Sequence, residues 1–363
     1  MYRLLIALII SLVVLSFLTK DQNQNFDELA FGIETTGSNA KGENNDLIHI
    51  EKLNDFEELY SDWISRGKNE IILLLGNSQY HTINQMKKGD VVLSQILYDY
   101  YKKDDIDFIT NSLPNVNLQE QYLIFEYFSR RLPIKLLILP VFMDDTREDD
   151  IRFGLPEYLK KNVNYSQNNS VIHKLFSTEI QQTQDDIAGL KETFQEKVEY
   201  SINQYLNKHS QKWSRRGSLR SELFIKLYRF RNSLFGITPS SKRKKITGPY
   251  KNNIYAYKLI LGHCQSLGIN ALIYIPPIRN DVEIPYDKKE YIDFKNKIKN
   301  IAKMNDAYFL DFENIIPQEY WGSKASTAID NDLETDFMHF QFKGHKILAD
   351  TLLMHINSDI LLR

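Results

Sequence analysis

Residues 70–82, Glu-Ile-Ile-Leu-Leu-Leu-Gly-Asn-Ser-Gln-Tyr-His-Thr, start as an unbroken apolar run and stop at Gly76-Asn77-Ser78. This pattern predicts a buried strand that ends in a tight turn. Ser78 is then left at the carboxyl end of the strand, the edge at which open α/β sheets bind ligands. A helix beginning just past the turn would aim free backbone N–H groups at whatever sits on the serine. Strand-like segments recur downstream at 106–110, 134–142, 271–275 and 308–312. Between them lie helical periods at 91–100, 118–130, 250–267 and 288–304, with another after the last run at 344–356. Strands alternating with helices predict an α/β fold, a parallel sheet covered by helices on both faces in three layers.

A serine nucleophile needs a base, and Asp336-Phe337-Met338-His339 near the far end supplies an Asp-x-x-His pattern. His339 is placed to take the proton of Ser78 while Asp336 fixes the tautomer and stabilises the imidazolium. His81 is a rival base, but on the same turn it would sit beneath the hydroxyl rather than across from it. His345 is expected on an exposed helical face. No His/Cys/Asp spacing suggests a metal site, and no cofactor motif is present. Cys264, the single cysteine, falls in a helical pattern and reads as a buried apolar residue.

On Gly-x-Ser near the start and Asp-x-x-His near the end, the chain resembles the SGNH, or GDSL-like, hydrolase and O-acyltransferase superfamily, whose domain is flavodoxin-like. The resemblance implies Ser78, His339 and Asp336 as catalytic residues. It also implies two oxyanion loops, usually carrying a Gly and a Gly-x-Asn, and neither motif is present as written. In the first of these loops Asn115 or Asn117 can donate instead. In the second, Asp144 and Asp145 cannot donate when ionised, and Arg147 reads either as a substrate contact or as half of a structural Asp–Arg pair. Arg279, after the fourth strand, is a candidate for an anionic or carbonyl group, with a salt bridge to a nearby acid as the alternative.

Residues 4–18 are apolar except for Ser11 and Ser16, which marks residues 1–19 as a signal segment or a short membrane anchor. About 22 Å of helix falls short of the ~30 Å hydrocarbon slab, yet no small-x-small cleavage site follows, which favours an uncleaved anchor with the body outside the cytoplasm. Residues 20–48 are polar and rich in Asn, Gln and Gly, and predict a flexible linker to a catalytic domain spanning 49–363. A helical, basic insertion is expected at about 155–248.

The net charge of −2 hides an asymmetry: residues 212–245 carry eleven Lys and Arg against one Glu, or +10, so the remainder is −12. A stripe at Leu219, Leu223, Leu227, Phe230 and Leu234 suits either core packing or an anionic membrane surface. Nucleic acid is not expected as a partner, because no recognised binding motif accompanies the charge and the anchor points the domain out of the cytoplasm. The resemblance extends to the membrane-anchored branch of the superfamily, which includes alginate O-acetyltransferase components and the teichoic-acid D-alanine transfer protein. That branch implies an acyl donor, a carbohydrate or envelope acceptor and a membrane-bound O-acyltransferase partner. A non-catalytic scaffold of the same fold is the alternative.

Overall fold

The computed structural model describes residues 36–37, 41–42, 46–50, 55–149, 151, 155, 232, 234, 241–324 and 334–357. These lie almost entirely in one compact unit made of residues 31–164, 239–325 and 333–363. The anchor at 1–19 and the apolar stripe of the basic segment, apart from Leu234, lie outside the described residues. Among those described, no helix is long and apolar enough to cross a membrane.

The quoted stretch forms β3 (Glu70–Gly76), whose residues from Ile71 onward are all buried. Its neighbours are β5 (Ile106–Ser112) and β6 (Ile134–Pro140), both parallel to it. Beyond them come β7 (Asn270–Ile275), β8 (Tyr308–Asp311) and a two-residue edge strand, β2 (His49–Ile50). The sheet runs β2-β5-β3-β6-β7-β8, and every pairing is parallel. The order reverses between β3 and β6, the topological switch point of a flavodoxin-type sheet, and there the carboxyl ends of diverging strands open a crevice. The fold is α/β, as the strand–helix alternation predicts.

A strand buried on both faces must be covered twice. On one face Ile72, Leu74, Leu136, Ile138, Leu272 and Tyr274 pack against α2 (Leu93–Tyr101) and the C-terminal helix α6 (Phe342–His355) through Leu93, Leu97, Leu348 and Leu352. By the two-residue period, Ile71, Leu73 and Leu75 face the other way. The remaining helices are α1 (Phe56–Ser65), α3 (Leu118–Ser129), α4 (Thr247–Leu267) and α5 (Lys288–Met304). Phe56 of α1 meets Tyr127 and Phe128 of α3 edge to face, and Tyr257 of α4 donates to Ile298 O of α5. Each fully buried large apolar side chain contributes ~1.5–3 kcal/mol, which makes the two covered faces the main source of stability.

Two small antiparallel pairs stand apart from the main sheet. β1 (Thr36–Gly37) pairs with β4 (Thr82–Ile83), and β9 (Trp321–Lys324) pairs with β10 (Glu334–Phe340). The second pair contains Asp336–His339, a stretch to which the sequence pattern assigns no strand. The expected linker also ends earlier than residue 48. Leu47 and Ile48 are buried, and Asp46 accepts from Tyr98 and pairs with Lys102 at 2.8 Å. The last turn of the expected insertion likewise belongs to this unit: Arg243 bridges to Tyr286, and α4 already begins at Thr247.

Candidate active site

Gly76 closes β3 because the chain must fold back tightly there. A Cβ on Gly76 would lie 2.4 Å from the Tyr80 ring, and Tyr80 is buried with its hydroxyl accepting from Tyr274 at 3.0 Å. The segment that follows is not the helix expected from the sequence but a single 3-10 turn, Ser78–Tyr80. Asn77, not Ser78, caps it, accepting from the Gln79 N–H at 3.0 Å. The serine hydroxyl is thus released from a capping role, and Ser78 is half-buried at the switch point. As the first residue of the turn, its backbone N–H has no partner within the turn.

Asp336 to His339 occupy the stretch of β10 where the pairing with β9 slips, between Thr335 and Phe340. Bulged backbone loses ladder partners and re-aims its side chains. Here Asp336 supplies the missing acceptor, its Oδ1 taking the N–H groups of Met338 at 2.9 Å and His339 at 3.0 Å. Its Oδ2 lies 2.9 Å from Nδ1 of His339, and Nε2 of the same ring lies 2.9 Å from Ser78 Oγ. Because Nδ1 faces a carboxylate, it carries the ring proton, which leaves Nε2 to accept from the serine hydroxyl. Burial alone would push Asp336 upward. The adjacent imidazole and the N–H donors outweigh it, and the carboxyl is held below its ordinary value.

Two residues that the sequence reading passed over complete the site. Asn84 is buried and donates to Asp336 Oδ2 at 3.3 Å and to Ser323 O at 3.0 Å. Gln79 donates to Pro277 O at 3.0 Å and Met338 O at 2.6 Å. Neither carries a sequence signal beyond its nearness to Ser78, since a polar residue in a short turn is ordinarily solvated.

The other candidates each make contacts of their own. Asn117 caps α3 in a capping box, its Oδ1 accepting from Gln119 and Glu120 N–H, and this occupies the carbonyl end of the amide. Asn115 is exposed in the left-handed region at φ 51°. Arg147 pairs with Asp144 and donates to Lys244 O, the structural alternative for that residue. Arg279 likewise forms a two-pronged pair with Asp281 at 2.6 and 2.9 Å and donates to Gly322 O. His81 turns into the interior, where its Nδ1 meets Ser112 Oγ at 2.7 Å and its ring stacks on His49.

His345 is fully buried rather than exposed, lying 3.0 Å from Thr82 O and accepting from the Leu93 N–H. The apolar stripe of α6 is broad enough to enclose it, which a count of polar residues cannot show. Asp145 is buried and accepts from Phe142 N–H and Asn77 Nδ2, and burial pushes its carboxyl well above the usual range. Cys264 is buried, as read. Among the described residues no group of three His, Cys, Asp or Glu is arranged to hold a metal ion.

No family model matches the chain, and no curated protein matches it. Among solved structures, an acetylxylan esterase from Geobacillus stearothermophilus is similar at 10% identity and a TM-score of 0.38, covering 81% of this chain and 96% of the other. A GDSL-like lipase from Bacteroides thetaiotaomicron is similar at 8% identity and a TM-score of 0.37, covering 83% of this chain and 98% of the other. At these values neither likeness bears on what the chain does, and the site has to be read from its own atoms.

Proposed function

We propose that this chain is a serine esterase or O-acyltransferase that works through an acyl-enzyme on Ser78. The observation that carries the reading is the unbroken relay Ser78 Oγ, His339 Nε2, His339 Nδ1, Asp336 Oδ2, with both links at 2.9 Å. Both contacts fall within the reach required of a general base and its orienting acid.

The chemistry follows from that order. Ser78 Oγ bonds to the acyl carbon as its proton passes to His339 Nε2, and the carbonyl π pair moves onto oxygen. Collapse of the tetrahedral species breaks the bond to the alcohol, which leaves with the proton from Nε2. A second hydroxyl, from water or an acceptor, attacks the acyl-serine and gives its proton to Nε2. Ser78 then departs and recovers that proton. Asp336 stays ionised throughout and stabilises the imidazolium. The Ser78 N–H serves as one oxyanion donor.

Transfer to a carbohydrate or envelope hydroxyl, outside the cytoplasm and beside a membrane-bound O-acyltransferase, is the fuller form of the proposal. Its supports are the apolar N-terminal segment and the resemblance of the Gly-x-Ser and Asp-x-x-His motifs to the anchored branch. Docking of residues 212–245 on an anionic membrane belongs with it. In the described part of that segment, Lys242 pairs with Glu283 and Arg243 with Asp144, whereas Lys244 and Lys245 are exposed.

A non-catalytic scaffold is the second reading, favoured by the absence of the Gly and Gly-x-Asn motifs from the two oxyanion loops. Stopped-flow hydrolysis of p-nitrophenyl acetate separates the two. The enzyme reading expects a burst of one p-nitrophenol per chain, abolished by Ser78→Ala, and a sugar alcohol should raise the steady rate if transfer outpaces hydrolysis. No burst and no turnover above Ser78→Ala would leave the scaffold.

A further inference from the structure

We propose that Gln79 is a positioning residue that holds Ser78 and His339 in register; the inference rests on the Ser78 reading above. The two groups lie 261 residues apart in the chain and on different sheets, the serine after β3 of the six-stranded sheet and the histidine on the separate β9–β10 pair. The Asp336–His339 half is local and fixes itself within one bulge. The cross-sheet half has no such closure and depends on whatever ties the hairpin to the nucleophile turn.

Gln79 is the tie that begins and ends beside the reacting groups. It follows Ser78 directly, and its own N–H is held by Asn77 Oδ1. One of its Nε2 hydrogens goes to Met338 O, the carbonyl immediately before His339, and the other to Pro277 O in the loop after β7. Three segments therefore meet on one carboxamide. Further ties run from Asn84 N–H to Phe340 O at 3.0 Å and from Arg279 N–H to Phe337 O at 3.3 Å, which hold the strand but start farther from Ser78. Gln79 is fully buried and its Oε1 has no hydrogen-bond partner. A buried amide oxygen left unpaired is unfavourable, so the group is retained for its two donors.

Gln79→Met keeps the volume and deletes both donors. In the full chain, the rate at which a fluorophosphonate modifies Ser78 should fall on the order of 10- to 100-fold, the scale of an ångström-level misplacement of reacting groups. The downfield proton resonance of His339 Nδ1, set by Asp336 within the same bulge, should persist. Should Gln79→Met not fold, Gln79→Glu supplies the test with an isosteric side chain: neutral, its carboxyl donates one hydrogen bond; ionised, none. Its rate relative to the parent should therefore drop as that carboxyl loses its proton.

Failure of the unmodified chain to react would overturn the nucleophile reading and this inference with it. A reactive parent with a Gln79→Met rate within threefold, or a Gln79→Glu rate that tracks the parent at every pH, would overturn this inference alone. So would loss of the rate together with the Nδ1 resonance, since the side chain would then support the whole hairpin rather than its register on Ser78.

Discussion

Replacing Gly322 by alanine would build a Cβ 1.9 Å from Cγ of Asn84, 2.2 Å from its Nδ2 and 2.3 Å from its Oδ1. Non-bonded carbons settle near ~3.5–4.0 Å, so the amide must retreat by about 1.5 Å or β9 must move away from it. Either response breaks the Asn84 contacts to Asp336 Oδ2 at 3.3 Å and Ser323 O at 3.0 Å. Overpacking of this kind costs ~1–3 kcal/mol, and a hydrogen bond to a charged group is worth ~1.5–3 kcal/mol. A loss of about 3 kcal/mol is therefore expected, read as a lower urea midpoint at unchanged m. The rate of Ser78 modification should fall about 10-fold as Asp336 loses one of the donors that orient it. Gly262→Ala is the control: nothing lies within 4 Å of its added Cβ on α4, and it should gain about 0.5–1 kcal/mol from helix propensity. A Gly322→Ala protein with the parent's midpoint and rate would refute the role given to Asn84.

Asp336→Asn should slow acyl transfer roughly 10²–10⁴-fold, somewhat less than His339→Ala, in p-nitrophenyl acetate kinetics; both Asp336 oxygens face N–H donors, so a carboxamide must set its own N–H₂ against one side. Burial holds the imidazole of His345 down at about 4, against ~6.5 in an unfolded chain. Below pH ~6.5 the unfolded state binds a proton that the folded state refuses, so stability is full above that pH and falls by up to about 3 kcal/mol as pH drops toward 4; His345→Gln should flatten this slope between urea titrations at pH 7 and pH 4.5. Burial also pushes the Cys264 thiol up to about 12, so a disulfide reagent at pH 8 should react only once guanidinium unfolds the chain, and rapid reaction of the native protein would contradict that burial.

The central strands of the main sheet were legible because they are buried on both faces. Continuous apolar runs such as Ile71–Leu75 have no competing explanation, and the helical periods of α3 and α5 begin at clear caps, Asn117 and Asp287. The contacts among Ser78, His339 and Asp336 were legible because a Gly-x-Ser after a buried strand and an Asp-x-x-His are themselves the signal. The rest depended on tertiary contact. The bulge in β10 is set by pairing with β9, and neither strand alternates cleanly enough to announce itself. Asn117 fits a donor loop and a capping box equally well until α3 is seen to start at Leu118. His345 reads as polar until Leu93 and Thr82 close over it, and Gln79 and Asn84 acquire meaning only from segments about 200 or more residues away.

Ser78 is proposed as a nucleophile that His339 activates. Peptide mapping by mass spectrometry after fluorophosphonate treatment of the full chain tests it most directly. One adduct is expected, on Ser78, absent from Ser78→Ala and formed at least ~10³-fold more slowly in His339→Ala. An adduct on another residue such as Ser112, or a folded chain that takes up no probe, would contradict it.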